Sequence, residues 1–303
     1  MVESIKKFMK VGIIHFMAYP ECMRGEGPIL ETIKKIAVDG YFDAIEVTWI
    51  KDPDVRAKAA ALMDQAGLAV GYGAQPRLLT TGYNINDLDE SRRLQAIATL
   101  IEGIDEASAL GAKGFAFLAG KYDEATKEQS YRQLLKSTRE LCAYAKSKGD
   151  MRVLAEVFDY DIEKRSLVGP TKIAKRFAED MLADHANFGL LVDLSHIPQM
   201  HETIEDSIYP IKDYIAHAHI GSCVLAQPGL PAYGDQHPRF NFPHSVNGVG
   251  SLVAFLRALM AIGYFEKHDR PFVSFEVKPW AGEDPDAVIA NGKRVLNEAW
   301  AKA

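Results

Sequence analysis

The chain has 303 residues, of which 48% are hydrophobic, 25% are charged and 10% are aromatic. These values are ordinary for globular proteins, so the composition excludes a disordered, collagen-like or low-complexity chain. The 35 basic and 41 acidic residues give a formal net charge of −6, which disfavours binding to a nucleic-acid backbone or an anionic membrane. The sequence therefore predicts a folded protein with a sizeable core.

The cysteines and the amino-terminal segment indicate a cellular compartment. Cys22, Cys142 and Cys223 are odd in number and widely spaced, which argues against a disulfide framework and against a zinc–cysteine site. The amino-terminal segment lacks the apolar core of a signal peptide, and no stretch approaches the roughly 18 apolar residues of a membrane span. We therefore expect a cytoplasmic protein with neither nucleic acid nor membrane as a partner.

Short runs rich in Val, Ile, Phe and Ala alternate with longer segments of helical apolar spacing, as is typical of repeated βα units. Eight runs are predicted strands: Val11–Phe16, Ala44–Ile50, Ala69–Gln75, Gly114–Gly120, Arg152–Phe158, Phe188–His196, Ile215–Ser222 and Pro271–Lys278. A last helix is predicted near Asp284–Trp300. No linker divides the chain, so residues 1–303 are predicted to form one α/β domain, a (β/α)8 TIM barrel.

The alternative fold is a doubly wound open sheet. The glycine-rich phosphate loop that often follows the first strand of such a sheet is absent here. The connection after the seventh predicted strand is unusually long, from about Cys223 to Gly250. In a TIM barrel this extended loop would lie at the carboxyl end of the strands, where active sites are built.

Four neighbouring predicted strands end in a carboxylate or an imidazole, and these groups are Glu156, Asp193, His219 and Glu276. Burying charged groups costs several kcal/mol each unless they are paired or bound to a metal. A divalent cation neutralises converging carboxylates and accepts a mixed oxygen and nitrogen ligand set. Mn²⁺ suits this set best, with Mg²⁺, Co²⁺ or Zn²⁺ as alternatives. His217 shares a strand face with His219 but lies deeper, and we expect it to be a hydrogen-bonded core histidine.

The succession of Glu156, Asp193-x-x-His196, His219 and Glu276, one group per strand from the fifth to the eighth, resembles the xylose isomerase-like TIM-barrel superfamily. This superfamily includes the sugar phosphate isomerase/epimerase family and the endonuclease IV-type repair enzymes. The resemblance implies that Glu156, Asp193, His219 and Glu276 bind the metal. It also implies that Glu156 and Glu276 are the catalytic acid and base, and that His196 contacts a substrate oxygen or a second metal.

The implied function is metal-dependent isomerisation or epimerisation of a sugar or keto-sugar by proton transfer through an enediolate. Expelling a substituent from the same enediolate would make the protein a lyase on oxidised glycosides, and the long loop is similar to that of the barrel subunit of bacterial C-glycoside deglycosidases. An endonuclease IV-like phosphodiesterase is less favoured, because the histidines that those enzymes place after strands three and four are missing. A catalytically silent binding or partner subunit is the remaining alternative.

Further residues are expected to contact a small sugar substrate: Glu46 after the second strand, His237 and Arg239 in the long loop, and Lys278 after the eighth strand. His15 and Gln75 also end predicted strands, and for each of them a structural hydrogen bond is expected as readily as a substrate contact. Candidate apolar walls for a sugar ring are Phe16, Trp49, Phe240 and Trp280. A homodimer or homotetramer is an open expectation.

Overall fold

The computed structural model describes residues 3–303, which form a barrel of eight parallel strands surrounded by helices. The strands are β1 (Lys10–Ile13), β2 (Ala44–Val47), β3 (Ala69–Gly73), β4 (Gly114–Leu118), β5 (Arg152–Glu156), β6 (Phe188–Asp193), β7 (Ile215–Gly221) and β8 (Phe272–Glu276). β1 pairs with β8, each other strand pairs with its neighbours in chain order, and a bridge between Ile14 and Glu46 joins the edges of β1 and β2. The predicted TIM barrel is confirmed, and the open doubly wound sheet is wrong because the first and last strands pair.

The helices cover the outside of the barrel and its carboxyl rim. They are α1 (His15–Ala18), α2 (Ile29–Ala37), α3 (Pro53–Gln65), α4 (Gln75–Leu79), α5 (Glu90–Ala109), α6 (Lys127–Ser147), α7 (Thr171–Leu182), α8 (His196–Gln199), α9 (Ile204–Ile208), α10 (Val249–Ala261) and α11 (Pro285–Lys302). Asp52, Asp89 and Asp284 start α3, α5 and α11 by accepting hydrogen bonds from backbone amides of the first turn. Within residues 3–303, no helix combines the length and the apolar character needed to cross a lipid bilayer.

Several predicted strands run beyond the observed strand ends. β2 stops at Val47, although Thr48 and Ile50 remain buried after it, and β6 stops at Asp193. Burial continues into the loops at the carboxyl rim, so the apolar pattern does not mark the end of a strand. Gln75 and His196 consequently open the short helices α4 and α8 instead of ending β3 and β6.

Small residues inside the barrel make room for polar side chains. A Cβ atom on Gly71 would lie 3.0 Å from the Cγ atom of Glu46, and one on Gly12 would overlap the Oγ atom of Ser274. Larger residues at these two glycines would therefore displace side chains of the barrel interior. Gly71 leaves room for Glu46 to lie deep in the barrel, below the carboxyl rim.

The predicted extended loop is present as residues 222–248, between β7 and α10. Isolated bridges of Val224 with Tyr233 and Ser245 connect parts of the loop to one another, and a bridge of Pro238 with Lys278 holds the loop to the rim. The backbone amide of Lys278 also donates to the carbonyl oxygen of His237, at 2.7 Å. These contacts place the middle of the loop over the carboxyl ends of β7 and β8.

Candidate active site

The carboxyl ends of β5 to β8 bring four potential metal ligands together. One ligand atom from each of Glu156, Asp193, His219 and Glu276 lies within 4.8 Å of the others, and all four residues are buried. They are far apart in the chain, but parallel strands in a barrel end at the same rim. The structure thus brings together the four residues that the sequence predicted as metal ligands.

Two carboxylate oxygens in this group are buried without a hydrogen-bond partner, Oε1 of Glu156 and Oδ2 of Asp193. The Nδ1 atom of His219 lies 3.0 Å from Oε2 of Glu276 and 3.6 Å from Oε1 of Glu156. Buried anionic oxygens without partners are costly, and a bound cation would remove that cost. Three carboxylates and one imidazole fit a divalent ion such as Mn²⁺, Mg²⁺, Co²⁺ or Zn²⁺.

Neighbouring side chains orient the potential ligands. The amide of Gln75 donates to Oε2 of Glu156 at 2.6 Å, which leaves Oε1 directed at the ligand group. Nε2 of His219 donates to the carboxylate of Glu46 at 3.2 Å, so its Nδ1 atom faces the same group. His217 is buried, with its Nε2 atom 2.8 Å from Oε1 of Glu46, which places it below the ligand group as a hydrogen-bonded core residue.

The carboxyl groups of the site differ in their affinity for protons. Burial raises the pKa of Glu276 to about 7, although His237 and His219 act in the opposite direction. Burial would also raise the pKa of Glu46, but His217 and His219 lower it well below its ordinary value. One carboxyl group can therefore exchange a proton near neutral pH while another stays ionised.

A second polar cluster adjoins the first through residues of the long loop. Oδ1 of Asp235 lies 3.0 Å from Nε2 of His196 and 2.8 Å from Nε2 of His237. The Nδ1 atom of His196 donates to the carbonyl oxygen of Val157, at 2.9 Å. Burial would lower the pKa of His196, but Asp235 and Asp193 raise it to about 10. His196 is thus turned toward Asp235.

The sequence did not single out Lys164 or Gln236, which the structure places at the site. Nζ of Lys164 lies 2.8 Å from Oδ2 of Asp235 and 2.9 Å from Oε1 of Glu163. Gln236 donates to Oε1 of Glu163 at 3.0 Å. Lys164 lies in a loop rich in charged residues, a composition typical of a solvated surface, and Gln236 is an uncharged residue of a long loop, so neither position carried a signal of a buried cluster.

A cavity of about 180 Å³ opens at the potential metal ligands and is lined by both polar and apolar side chains. The polar lining residues are Glu46, Gln75, Glu156, Lys164, His219, Asp235, Gln236, His237, Glu276 and Lys278. The apolar lining residues are Ile14, Phe16, Met17, Met23, Pro76, Leu79 and Phe158, and the first four of these form one hydrophobic cluster. A ligand in this cavity would contact both potential metal ligands and apolar side chains.

The other sequence-predicted contacts divide between the cavity and its surroundings. Glu46, His237 and Lys278 line the cavity, whereas His196 contacts Asp235 behind it. Arg239 is outside the lining, because its Nε atom donates to Glu283 at 2.7 Å. His15 is also outside, and its imidazole is hydrogen-bonded to Thr32 at 2.7 Å.

Of the predicted aromatic walls, Phe16 lines the cavity, whereas Trp49, Phe240 and Trp280 do not. The indole nitrogen of Trp49 donates instead to the carbonyl oxygen of Met23, and Phe240 is fully buried. Phe158 takes part in the lining, although the sequence did not distinguish it from other apolar residues at strand ends.

The family model described as a xylose isomerase-like TIM barrel matches residues 33–299, and the chain belongs to this family. The match confirms the resemblance that Glu156, Asp193, His219 and Glu276 carry in the sequence. No curated protein matches the chain significantly.

Solved structures of similar fold cover nearly the whole chain. The IOLI protein with a bound zinc atom has a TM-score of 0.74 and 16% identity over 97% of this chain and 99% of that chain. L-ribulose 3-epimerase has a TM-score of 0.71 and 20% identity over 97% of this chain and 96% of that chain. The 3-keto-D-glucoside 4-epimerase YcjR from E. coli has a TM-score of 0.68 and 18% identity over 95% of this chain and 99% of that chain. These similarities show a shared fold.

Proposed function

We propose that this protein is a divalent-metal-dependent isomerase or epimerase that acts on a sugar or keto-sugar. The observation that carries the proposal is the buried group of Glu156, Asp193, His219 and Glu276 beneath a cavity, with two carboxylate oxygens that lack partners. Structures of similar fold are sugar epimerases, one of them for a 3-keto-glucoside, which supports the same substrate class.

The four residues of this group would hold the ion, which is expected to be Mn²⁺. When bound, a divalent cation would polarise a substrate carbonyl and acidify the neighbouring C–H group. Asp193 supplies charge from the floor of the site, and its Oδ1 atom accepts a hydrogen bond from the backbone amide of Ser195 at 2.6 Å. His219 is held in place by Glu46 on its other side.

Glu156 and Glu276 are the proposed proton carriers. They come from β5 and β8, and both line the cavity. One carboxylate would remove the proton next to the substrate carbonyl, and the other would return a proton to the enediolate. Return to the opposite face of the same carbon gives an epimer, and return to the neighbouring carbon interconverts an aldose and a ketose. The proposed substrate contacts Lys278 and His237 would orient the sugar hydroxyls.

Solvent exchange in D₂O tests this function with a panel of ketoses, aldoses and 3-keto-glycosides. We expect deuterium to enter the carbon next to the carbonyl with wild-type protein, and to enter at least 100-fold more slowly with Glu156→Gln or Glu276→Gln. Glu205→Gln, at an exposed site on α9, is the matched control. Absence of exchange with every panel member, in protein that holds one ion per chain, would contradict the proposal.

A second candidate function is a metal-dependent lyase on oxidised glycosides, and an apolar cluster in the cavity lining favours it. Ile14, Phe16, Met17 and Met23 form this cluster, which a free sugar, with hydroxyl groups on every carbon, would not cover well. An apolar aglycone would bury this surface. Removal of the proton next to a keto group would form the enediolate, whose electrons then expel the substituent at the next carbon as the new double bond forms.

Product analysis separates the two functions. The same 3-keto-glycosides, with and without an aromatic aglycone, are incubated with the protein, and the free aglycone and the sugar epimers are measured. Release of the aglycone supports the lyase, and an epimer with the aglycone still attached supports the epimerase. Met17→Ser and Phe158→Ser should raise KM for the aromatic glycosides more than for the free keto-sugar, because each variant removes apolar surface from the cavity.

A further inference from the structure

A second cavity, of about 580 Å³, lies at the carboxyl rim beside the proposed active-site cavity. It is formed by the segments that follow β3, β4 and β5, whereas the four potential metal ligands come from β5 to β8. Leu79 and Lys164 line both cavities, so the two cavities adjoin at these side chains. Glu163, whose carboxylate lies 2.9 Å from Nζ of Lys164, lines the second cavity only. The second cavity is therefore the neighbouring space into which a ligand of the first could extend.

Hydrogen bonds hold the walls of the second cavity in place before any ligand binds. The side-chain amides of Asn84 and Asn86 both donate to the carbonyl oxygen of Lys121, at 2.9 Å. The side chain of Asn86 in turn accepts a hydrogen bond from the backbone amide of Gly120, at 2.6 Å. A Cβ atom on Gly120 would overlap the side chain of Asn84, so glycine allows this close approach. A ligand would therefore lose little affinity to the ordering of these segments.

The volumes of the two cavities show where the larger part of a ligand would lie. Small-molecule pockets in proteins usually measure about 300–1,000 Å³. The first cavity, at about 180 Å³, is below this range, and the second, at about 580 Å³, is within it. The first cavity therefore has space for one small ring, and the room for a further group lies in the second cavity.

The lining of the second cavity combines exposed apolar side chains with charged groups. Tyr83 is 39% exposed and Leu79 is 49% exposed. Large apolar side chains that stay exposed in one cavity indicate a binding surface. The apolar C–H face of a pyranose ring can pack on the phenol ring of Tyr83, and Lys121 and Glu163 offer a donor and an acceptor to its hydroxyl groups. The lining therefore suits a hydroxylated ring better than a purely apolar group.

We propose that the second cavity binds a second sugar ring, so that the substrate is a glycoside of at least two rings. The keto-sugar ring lies at the four-residue group, and the pyranose attached to it packs on Tyr83 and Leu79. The inference rests on the proposed function for the position of the first ring. It narrows the substrate class from a free sugar or keto-sugar to a keto-glycoside whose substituent is itself a sugar.

Ligand-observed NMR titration tests the inference without turnover. The probes are methyl β-D-glucoside, the methyl glycosides of cellobiose, maltose and lactose, and phenyl β-D-glucoside, none of which has a carbonyl group to react. We expect at least one disaccharide to bind Mn²⁺-loaded wild type about tenfold more tightly than methyl glucoside. Tyr83→Ser should remove this advantage and leave the affinity for methyl glucoside unchanged, whereas Tyr83→Phe keeps the ring and should retain the advantage. Tyr209→Ser, at another exposed tyrosine outside both cavities, is the matched control and should bind as wild type does.

Lys121→Met gives a second measurement, on another segment of the cavity wall. It removes a hydrogen-bond donor and should weaken disaccharide binding about threefold to tenfold without changing the affinity for methyl glucoside, in protein shown to be folded by circular dichroism.

Three outcomes would overturn the inference. They are a disaccharide advantage that survives Tyr83→Ser, a wild type with no preference for any disaccharide, and a loss in Tyr83→Ser that is confined to phenyl β-D-glucoside. In the last case the second cavity would hold an aromatic group instead of a sugar. Failure of the proposed function shows separately, as absent deuterium exchange with every keto-sugar, and leaves these binding measurements unaffected.

Discussion

One neutral side chain orients the carboxylate of Glu156 for its proposed role. The amide of Gln75 donates to one carboxylate oxygen, and the other oxygen remains free for an ion or a proton. A neutral donor orients the carboxylate without competing with a cation for its charge. This support is local to one pair of side chains, so it can be tested by a single substitution.

Gln75→Leu should lower kcat/KM of the proposed reaction by about 10- to 100-fold and leave one bound ion per chain. A hydrogen bond to a charged group contributes about 1.5–3 kcal/mol, and about 1.4 kcal/mol corresponds to a factor of ten in rate. Steady-state kinetics and elemental analysis measure the two quantities. Gln65→Leu, on the exposed surface of α3, is the control. Unchanged kinetics in the Gln75 variant would show that this hydrogen bond is dispensable.

The pKa values of Glu276 and His219 predict how the affinity for the ion changes with pH. The raised pKa of Glu276, about 7, means that this carboxyl group is protonated below pH 7 in the metal-free protein. The pKa of His219 is raised well above its ordinary value: burial lowers it, but the carboxylates around the ring outweigh that effect. Both groups must lose their protons to act as ligands.

Affinity for Mn²⁺ should therefore fall as the pH is lowered, and should fall more steeply below about pH 7 than above it. Each proton displaced contributes about a tenfold change in the dissociation constant per pH unit. Titration calorimetry between pH 5.5 and 8.5 measures the slopes. In Glu276→Gln, the additional fall in Mn²⁺ affinity below about pH 7 should be absent, and the affinity for Mn²⁺ should be lower overall. The same slope on both sides of pH 7 in wild type would contradict the pKa assigned to Glu276.

At the level of structural elements, two loops at the carboxyl rim of the barrel contact each other and form part of the site. The loop after β5 and the long loop after β7 contact one another through Glu163 and Asp235, and both contribute residues to the cavity. Asp159 is fully buried and organises the first of these loops by accepting four backbone hydrogen bonds. The shape of the site on this side thus depends on one carboxylate that does not line the cavity.

Asp159→Ala should lower the free energy of unfolding by about 3 kcal/mol, because it leaves several backbone amides of the loop without an acceptor. Urea denaturation followed by circular dichroism measures this change. Asp161→Ala, at an exposed position of the same loop, should change stability by less than about 0.5 kcal/mol. Equal effects of the two substitutions would mean that the loop does not depend on the buried carboxylate.

At the scale of the whole molecule, the proposed ion would join strands from half of the barrel. Its ligands come from β5, β6, β7 and β8, whose side chains carry three like charges into one buried site. In the absence of the ion, these charges are balanced only in part by protonated groups. Removing the ion should therefore affect the stability of the barrel as a unit.

Chelation of the ion should lower Tm by about 5–10 °C. Saturation at a hundredfold excess over Kd contributes about 2.7 kcal/mol, and each kcal/mol shifts Tm by about 2–4 °C in proteins of this size class. Differential scanning calorimetry with and without EDTA measures the shift, and re-addition of Mn²⁺ should reverse it. In Asp193→Asn the shift should be absent. An unchanged Tm after proven loss of the ion would argue against a buried site.

The sequence by itself determined the barrel and the four residues at the ends of its last strands. Both follow from short-range sequence patterns. Apolar runs that alternate with segments of helical spacing define the βα units. A carboxylate or imidazole at the end of an apolar strand can be recognised from the few residues around it. Because parallel strands of a barrel end at one rim, the sequence predicts that Glu156, Asp193, His219 and Glu276 lie together.

Only the tertiary structure decided which loop residues complete the site. Lys164 meets Asp235 although the two are far apart in the chain, and Arg239 bonds to Glu283 instead of lining the cavity. The apolar lining residues Met17 and Phe158 follow β1 and β5, which lie on opposite sides of the barrel. Loop conformation depends on long-range contacts that leave no periodic pattern, so the composition of a loop does not show whether its charges face solvent or one another.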